Sequence, residues 1–224
     1  MPDYSADKLY VIEVTEQRIS EDVKRLVFRT TRGEFDAVLH GSSRTGKGII
    51  MLGGDRAGVD SPSDVYLNLA SRLMEEGITS LRLSFRDSED CVQCGIDTLA
   101  ALQYLDDESV GDVLLLGWSF GGAVALAAGS LARNVRGVAV ISTLDDVDCC
   151  YKRLGPKPVL IVHGEIDDIS PVEWPKRIYD RLTGPRRLII YPGAGHDLRE
   201  VREQLVSDIR DWVTGILANP READ

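Results

Sequence analysis

A serine set between two glycines is the residue in this sequence best suited to do chemistry. The segment GWSFG at 117–121 follows a short apolar run and precedes a run of small residues, which predicts a strand, a tight turn and a helix. Glycines on both sides leave room for a serine in a strained turn. The N–H of the next residue then points at the oxyanion of a tetrahedral intermediate. We predict that Ser119 is a nucleophile and that Phe120 supplies an oxyanion N–H.

The base that would activate this serine must be one of three histidines, His40, His163 and His196. A serine nucleophile needs an imidazole within hydrogen-bonding distance to accept its proton. His196 follows a predicted strand and lies in a glycine-rich loop, which gives it access to a reacting group. We interpret His163 as a hydrogen-bonded residue at a strand end and His40 as a surface or packing residue. The prediction for the base is therefore His196.

The elements that must position these residues alternate between strand and helix from residue 48 onward. Such alternation implies parallel pairing and a doubly wound sheet. Two β-rich segments before it, 24–30 and 34–40, predict an antiparallel hairpin. The predicted strands are 48–53, 78–85, 113–116, 138–141, 158–162 and 188–191, and the predicted helices are 63–77, 95–105, 120–132, 174–182 and 198–217.

Over nearly its full length the sequence resembles the α/β-hydrolase family. The matching segments are GWSFGG at 117–122, HGEIDDISP at 163–171 and PGAGH at 192–196. The resemblance implies an α/β-hydrolase fold with about eight strands, a single domain over residues 1–224, no lid domain, and a triad in the chain order Ser, Asp, His. The short intervals in the chain between the three triad residues are similar to those of lidless members, including dienelactone hydrolases and small esterases or thioesterases. Dienelactone hydrolases use a cysteine nucleophile, so Ser119 favours the esterase side.

The resemblance also implies the acid of the triad and the second oxyanion donor. Asp167 aligns with the acid of the family, and Asp168 is the near alternative because one loop can present either carboxylate. The second N–H is that of Asp55, in the loop after the first parallel strand. Gly54 is the alternative, one residue away, because this chain has Gly53-Gly54 where the family has His-Gly.

Composition narrows the choice of partners and location. The net charge of −10 disfavours binding to nucleic acid or anionic membranes, because phosphate groups are repelled. No apolar run reaches the roughly 18 residues of a membrane span, and the polar start lacks a secretory signal, so we expect a cytoplasmic protein. The pairs Cys91/Cys94 and Cys149/Cys150 match known zinc-ligand spacings poorly, which favours thiols over a metal site. We predict no metal and no cofactor.

Two functions from different classes fit these residues. The first is a serine hydrolase that cleaves a small carboxylic ester or thioester through an acyl-serine intermediate. The second is a binding or signalling protein in which the triad is vestigial. The complete set of serine, aspartate and histidine favours the enzyme, because a binding role does not require all three. Peptidases and acyltransferases use the same triad and remain open within the enzyme class.

Overall fold

Strands that alternate with helices make up most of the chain in the computed structural model of the protein, which describes residues 9–41, 45–54, 58–60, 64–144 and 148–219. These residues include nine strands: Val11–Arg18 (β1), Val23–Thr30 (β2), Gly33–His40 (β3), Lys47–Leu52 (β4), Thr79–Leu83 (β5), Asp112–Trp118 (β6), Val135–Ile141 (β7), Val159–Gly164 (β8) and Arg186–Tyr191 (β9). They also include six α-helices: Val65–Glu75 (α1), Cys91–Asp107 (α2), Phe120–Leu131 (α3), Asp148–Leu154 (α4), Glu173–Arg181 (α5) and Arg202–Ala218 (α6), the last preceded by a 3₁₀ turn at Arg199–Val201.

All of these strands belong to one sheet, in the order β1-β2-β3-β5-β4-β6-β7-β8-β9. The pairs β1/β2, β2/β3 and β3/β5 are antiparallel, whereas the remaining pairs are parallel. The prediction of an α/β-hydrolase fold, with a mostly parallel sheet after an N-terminal antiparallel hairpin, is confirmed. Within the described ranges, no segment forms a separate lid.

Two elements lie outside the sequence prediction. Strand β1 adds a ninth strand at the edge of the hairpin, where the resemblance implies about eight. Its residues are exposed except for the half-buried Val14, so this strand adds almost nothing to the core. Helix α4 is only seven residues long and interrupts a segment that the sequence leaves as a connection. It packs against the core through Cys150, Tyr151 and Leu154.

Helices cover both faces of the sheet because the parallel strands are apolar on both sides. In β4, Ile50 and Leu52 face one hydrophobic core, while Ile49 and Met51 face the other. Buried residues of α2 to α5 belong to the first core, and those of α1 and α6 to the second. The parallel strands are thus held from both faces, which fixes the positions of the loops that follow them.

Four of these loops meet at one edge of the sheet. Strands β4, β6, β8 and β9 run in the same direction, so their carboxyl ends lie along that edge. The loops after them contain the predicted oxyanion donor, nucleophile, acid and base, in that order. Ligands bind at the carboxyl ends of strands in open α/β sheets. Among the described residues, no helix combines the length and apolarity needed to cross a membrane.

Candidate active site

Ser119 occupies a strained turn between β6 and α3. Its φ of 52° and ψ of −118° are rare for a residue with a side chain. The turn is tight because a Cβ on Gly117 would lie 2.1 Å from the carbonyl oxygen of Gly121. The backbone N–H of Ser119 donates to the Ile141 carbonyl at 2.8 Å, which ties the turn to β7. This geometry matches the turn that the sequence predicts for a nucleophilic serine.

Phe120 begins α3 directly after the serine. Its N–H is one of the first four of the helix, which have no acceptor within the helix. The N-terminus of a helix also favours negative charge. The ring of Phe120 meets that of Phe85 edge-on, with centroids 6.5 Å apart. The Phe120 amide is thus at the start of α3, directly after Ser119, and its role as an oxyanion donor stays a prediction.

The predicted second donor, Asp55, lies outside the described residues, so its role remains a prediction. The two ends of its loop are described. A Cβ on Gly121 would lie 2.3 Å from the Gly53 carbonyl oxygen, so the start of the loop touches the start of α3. At the other end, buried Arg82 of β5 donates to the Asp60 carboxylate at 2.7 Å. Of the described residues in this segment, Gly53 therefore lies against the start of α3, and Asp60 is bonded to β5.

Asp167 and His196 are hydrogen-bonded partners. The imidazole Nδ1 of His196 lies 2.8 Å from Oδ2 and 3.0 Å from Oδ1 of Asp167. A carboxylate can only accept here, so Nδ1 carries the proton and Nε2 of the neutral ring is left as an acceptor. That tautomer is the one a general base needs.

The buried carboxylate of Asp167 is fixed by its own loop. Its Oδ1 accepts the backbone N–H of Ile169 at 2.9 Å and that of Ser170 at 2.8 Å. The side chain of Asp167 is fully buried, whereas the neighbouring Asp168 is exposed. Of the two carboxylates that the sequence leaves open, the structure brings Asp167 to His196.

Backbone contacts join the acid loop after β8 to the histidine loop after β9. The N–H of Ile166 donates to the Ala194 carbonyl at 3.0 Å, and Gly193 donates to the Glu165 carboxylate at 3.0 Å. A Cβ on Gly164 would lie 2.3 Å from the Ala194 carbonyl oxygen, so the close approach of the loops requires glycine there. Asp167 and His196 are therefore positioned by two loops that are hydrogen-bonded to each other.

The other two histidines have structural contacts. The buried His163 donates from Nε2 to the Ser170 carbonyl at 2.8 Å, and burial lowers its pKa. His40 is also buried, and its Nε2 accepts a hydrogen bond from Arg82 Nε at 3.0 Å. Burial first, and then the charge of Arg82, lower the pKa of His40 to about 4. Neither histidine contacts Ser119 in the described hydrogen bonds.

Trp118, the residue before Ser119, connects β6 to the loop that contains His196. Its indole N–H donates to the His196 carbonyl at 3.3 Å, and its ring lies 5.3 Å from the imidazole between centroids. The sequence does not single out this residue, because it occupies a variable position of the serine motif. The hydrogen bonds described for Ser119 do not include one to His196; in unliganded sites such bonds often form only with substrate.

Three of the four cysteines have side chains that the structure describes. Among the residues described, no three histidine, cysteine, aspartate or glutamate side chains cluster as metal ligands. Cys91, Cys94 and Cys150 are reduced thiols, and burial raises the pKa of Cys94, whose thiol donates to the Asp87 carbonyl at 3.0 Å. Such burial and bonding are typical of packing residues.

Comparison with known proteins identifies the family of this chain. The family profile of the dienelactone hydrolases matches residues 62–208, well over half of the chain. The protein belongs to the dienelactone hydrolase family. It is therefore a hydrolase with the α/β fold. A search of curated protein sequences found no significant match to this chain.

Solved structures show that this dienelactone hydrolase family protein shares its fold with several hydrolases. The α/β-hydrolase GrgF from Penicillium has a TM-score of 0.76 at 18% identity, covering 88% of this chain and 99% of its own. Est1E from Butyrivibrio proteoclasticus has 0.74 at 16% identity, covering 92% and 99%. A dienelactone hydrolase from Anabaena variabilis has 0.74 at 17% identity, covering 93% and 97%. At such identities the likeness establishes the fold alone.

Proposed function

We propose that the protein is a serine hydrolase that cleaves a small carboxylic ester or thioester with Ser119, His196 and Asp167. The observation that carries the proposal is the hydrogen-bonded pair of Asp167 and His196 at the sheet edge where Ser119 occupies its strained turn. This combination supplies a nucleophile, a base with a free Nε2 and a buried acid. Residues 1–224 would act as one catalytic domain.

In the proposed reaction, Nε2 of His196 accepts the proton of Ser119 as Oγ attacks the acyl carbon. The N–H of Phe120 and, in the loop after β4, that of Asp55 would stabilise the oxyanion. The imidazolium then protonates the departing alcohol or thiol, leaving an acyl-serine. Water, deprotonated by the same imidazole, releases the acid and restores Ser119. Asp167 stays ionised throughout and stabilises the imidazolium.

Labelling with a fluorophosphonate tests the nucleophile, because this reagent requires an activated serine. We expect stoichiometric modification of Ser119 in the folded protein and loss of both labelling and ester turnover in Ser119→Ala. Ser130→Ala is the matched control: this serine is in the same helix α3, and its hydroxyl donates to the Ala127 carbonyl. A folded wild-type protein that is not labelled at Ser119 would refute the proposal.

The substrate should carry an apolar group near the reacting carbonyl. Two isoleucines of the acid loop, Ile166 and Ile169, are 63% and 62% exposed on either side of Asp167 and Asp168. We call these two side chains the apolar rim. Large apolar side chains in solvent beside a candidate site offer contact area to an alkyl or aryl substituent.

A series of esters with lengthening acyl chains tests the apolar rim. Replacing both isoleucines by serine should reduce the preference in kcat/KM for hexanoyl over acetyl esters by about threefold to tenfold. The control is Leu131→Ser, since Leu131 is 59% exposed at the distant end of α3. An unchanged preference in the double variant would remove the apolar rim from the substrate site.

A further inference from the structure

Trp118 touches two loops of the candidate site as well as the nucleophile turn that follows it. On one side it meets the loop after β4: a Cβ on Gly54 would lie 2.8 Å from both Cε3 and Cζ3 of the indole. Such a distance is an overlap, so the packing of Gly54 on this ring requires a glycine. The loop that begins at Gly53 is therefore in direct contact with the residue before Ser119.

On the other side, the indole meets His196. The indole N–H donates to the His196 carbonyl at 3.3 Å, and the two rings lie 5.3 Å apart at an angle of 50°. Asp167 holds Nδ1 of the imidazole, while Trp118 contacts both the backbone and the ring of the same residue. His196 is thus held between the acid and the tryptophan.

The backbone of Trp118 is held in place by strand pairing and by a hydrogen bond. It is the last residue of β6, paired with Ile141 of β7. Its backbone also forms a hydrogen bond with the buried hydroxyl of Tyr66, which donates to the Leu52 carbonyl at 2.8 Å. The backbone of Trp118 is therefore held within the sheet. A loop that packs on its indole takes a defined position relative to Ser119, the next residue.

We propose that Trp118 is a positioning residue that sets the distance from Ser119 to both His196 and the loop after β4. The inference rests on the proposed hydrolase function. A base or an oxyanion donor displaced by about 1 Å costs on the order of a hundredfold in rate. Because the Trp118 side chain contacts both loops, its loss would displace the base and the oxyanion donor together. A substitution at Trp118 should therefore affect turnover more than substrate binding.

The first experiment separates positioning from packing. Trp118→Leu should lower kcat by about tenfold to a hundredfold with KM changed by less than about threefold. Trp118→Phe, which keeps a ring but lacks the indole N–H, should lie between this variant and the wild type. Trp212→Leu is the matched control, because Trp212 is the other half-buried tryptophan on the same hydrophobic core. It should lower the Tm and leave kcat unchanged. Equal kcat values for Trp118→Leu and the wild type would overturn the proposal.

The second experiment is a double-mutant cycle between Gly54 and Trp118. Gly54→Ala should reduce kcat about tenfold or more in the wild-type background. In the Trp118→Leu background, where a smaller side chain leaves room for the added methyl group, it should reduce kcat less than about threefold. Gly215→Ala is the control, since a Cβ there meets no atom within 4 Å. Additive costs in the two backgrounds would contradict the proposal.

Labelling of Ser119, together with the Tm of the four proteins in the cycle, separates failure of this inference from failure of the proposed function. If the wild type is labelled at Ser119 but the cycle is additive in kcat, Trp118 is not a positioning residue and the hydrolase assignment stands. If Ser119 is not labelled, the hydrolase assignment fails, and an additive Tm cycle would then reject the contact between Gly54 and Trp118 as well.

Discussion

Nδ1 of His196 lies 2.8 Å from Oδ2 of Asp167, although 29 residues separate them in the sequence. The two residues follow neighbouring parallel strands, β8 and β9, whose carboxyl ends lie side by side. Backbone hydrogen bonds between their loops then fix the distance. Strand order thus brings the two residues together, and their side chains then form the hydrogen bond.

The first prediction concerns which aspartate supports the base. Asp167→Asn replaces a charged acceptor by an amide of the same shape, which removes the stabilisation of the imidazolium and the preference for the Nδ1–H tautomer. We expect kcat for an activated ester to fall about 10⁴-fold. Asp168→Asn is the matched control and should change kcat by less than about twofold, because this residue is exposed and forms no described bond to His196. Similar losses in the two variants would reject Asp167 as the specific partner.

The difference between these two aspartates illustrates what sequence can and cannot provide. Local patterns predict Ser119 because its glycines, strand and helix are adjacent in the chain. The acid loop presents two carboxylates in succession, and only the fold of the loop distinguishes them, through the bonds from Ile169 and Ser170 to Asp167. The sequence alone therefore leaves Asp168 open as the alternative.

Contacts across long sequence separations are the other part that the sequence does not provide. Trp118 and His196 are 78 residues apart, and the motif that contains Trp118 constrains its neighbours rather than its own side chain. Strand β1 is missed for a different reason: it is held at the sheet edge by backbone pairing with β2, and all of its residues except the half-buried Val14 are exposed. Patterns of burial cannot reveal an element that buries almost nothing.

The second prediction concerns acid stability. His40 is neutral in the fold because burial and Arg82 lower its pKa from the usual 6.5 to about 4. Between these values the unfolded chain binds a proton that the folded protein does not, so stability is full above about pH 6.5 and falls as the pH drops toward 4. This one group would account for up to about 3 kcal/mol of the loss.

Denaturant titrations of the wild type and His40→Gln at several pH values test this. Glutamine does not titrate, and its carbonyl can still accept the hydrogen bond from Arg82. The free energy of unfolding of the variant should therefore depend less on pH between 6.5 and 4 than that of the wild type. Parallel curves over this range would show that His40 is not responsible.

The third prediction concerns the close approach of α3 to the loop after β4. A Cβ on Gly121 would lie 2.3 Å from the Gly53 carbonyl oxygen and 2.4 Å from that of Leu52, and both are backbone atoms of limited mobility. Gly121→Ala should cost at least about 3 kcal/mol of unfolding free energy, or prevent folding. Gly95→Ala is the control: nothing lies within 4 Å of its Cβ, and in helix α2 alanine should stabilise by about 0.5–1 kcal/mol. Equal stability of the two variants would contradict the packing described for the turn.

The last prediction concerns the ion pair that anchors the loop after β5. Arg86 donates from Nε to Asp97 at 2.5 Å and from its backbone N–H at 3.1 Å, and the Asp97 side chain is fully buried. Burial raises the pKa of Asp97, and the hydrogen bonds and charge of Arg86 oppose this shift. Removing the carboxylate would leave the guanidinium, only 8% exposed, without its counter-charge.

Asp97→Asn should therefore lower the free energy of unfolding by about 3–5 kcal/mol, because a buried cation loses its partner. The exposed pair of Arg25 and Asp36, at 3.0 Å, offers the matched comparison, and Asp36→Asn should cost less than about 1 kcal/mol. Chemical denaturation at neutral pH would measure both free energies of unfolding. If the two substitutions cost the same, water must reach Arg86 in solution, and the loop that carries Phe85 toward Phe120 would not be fixed by this pair.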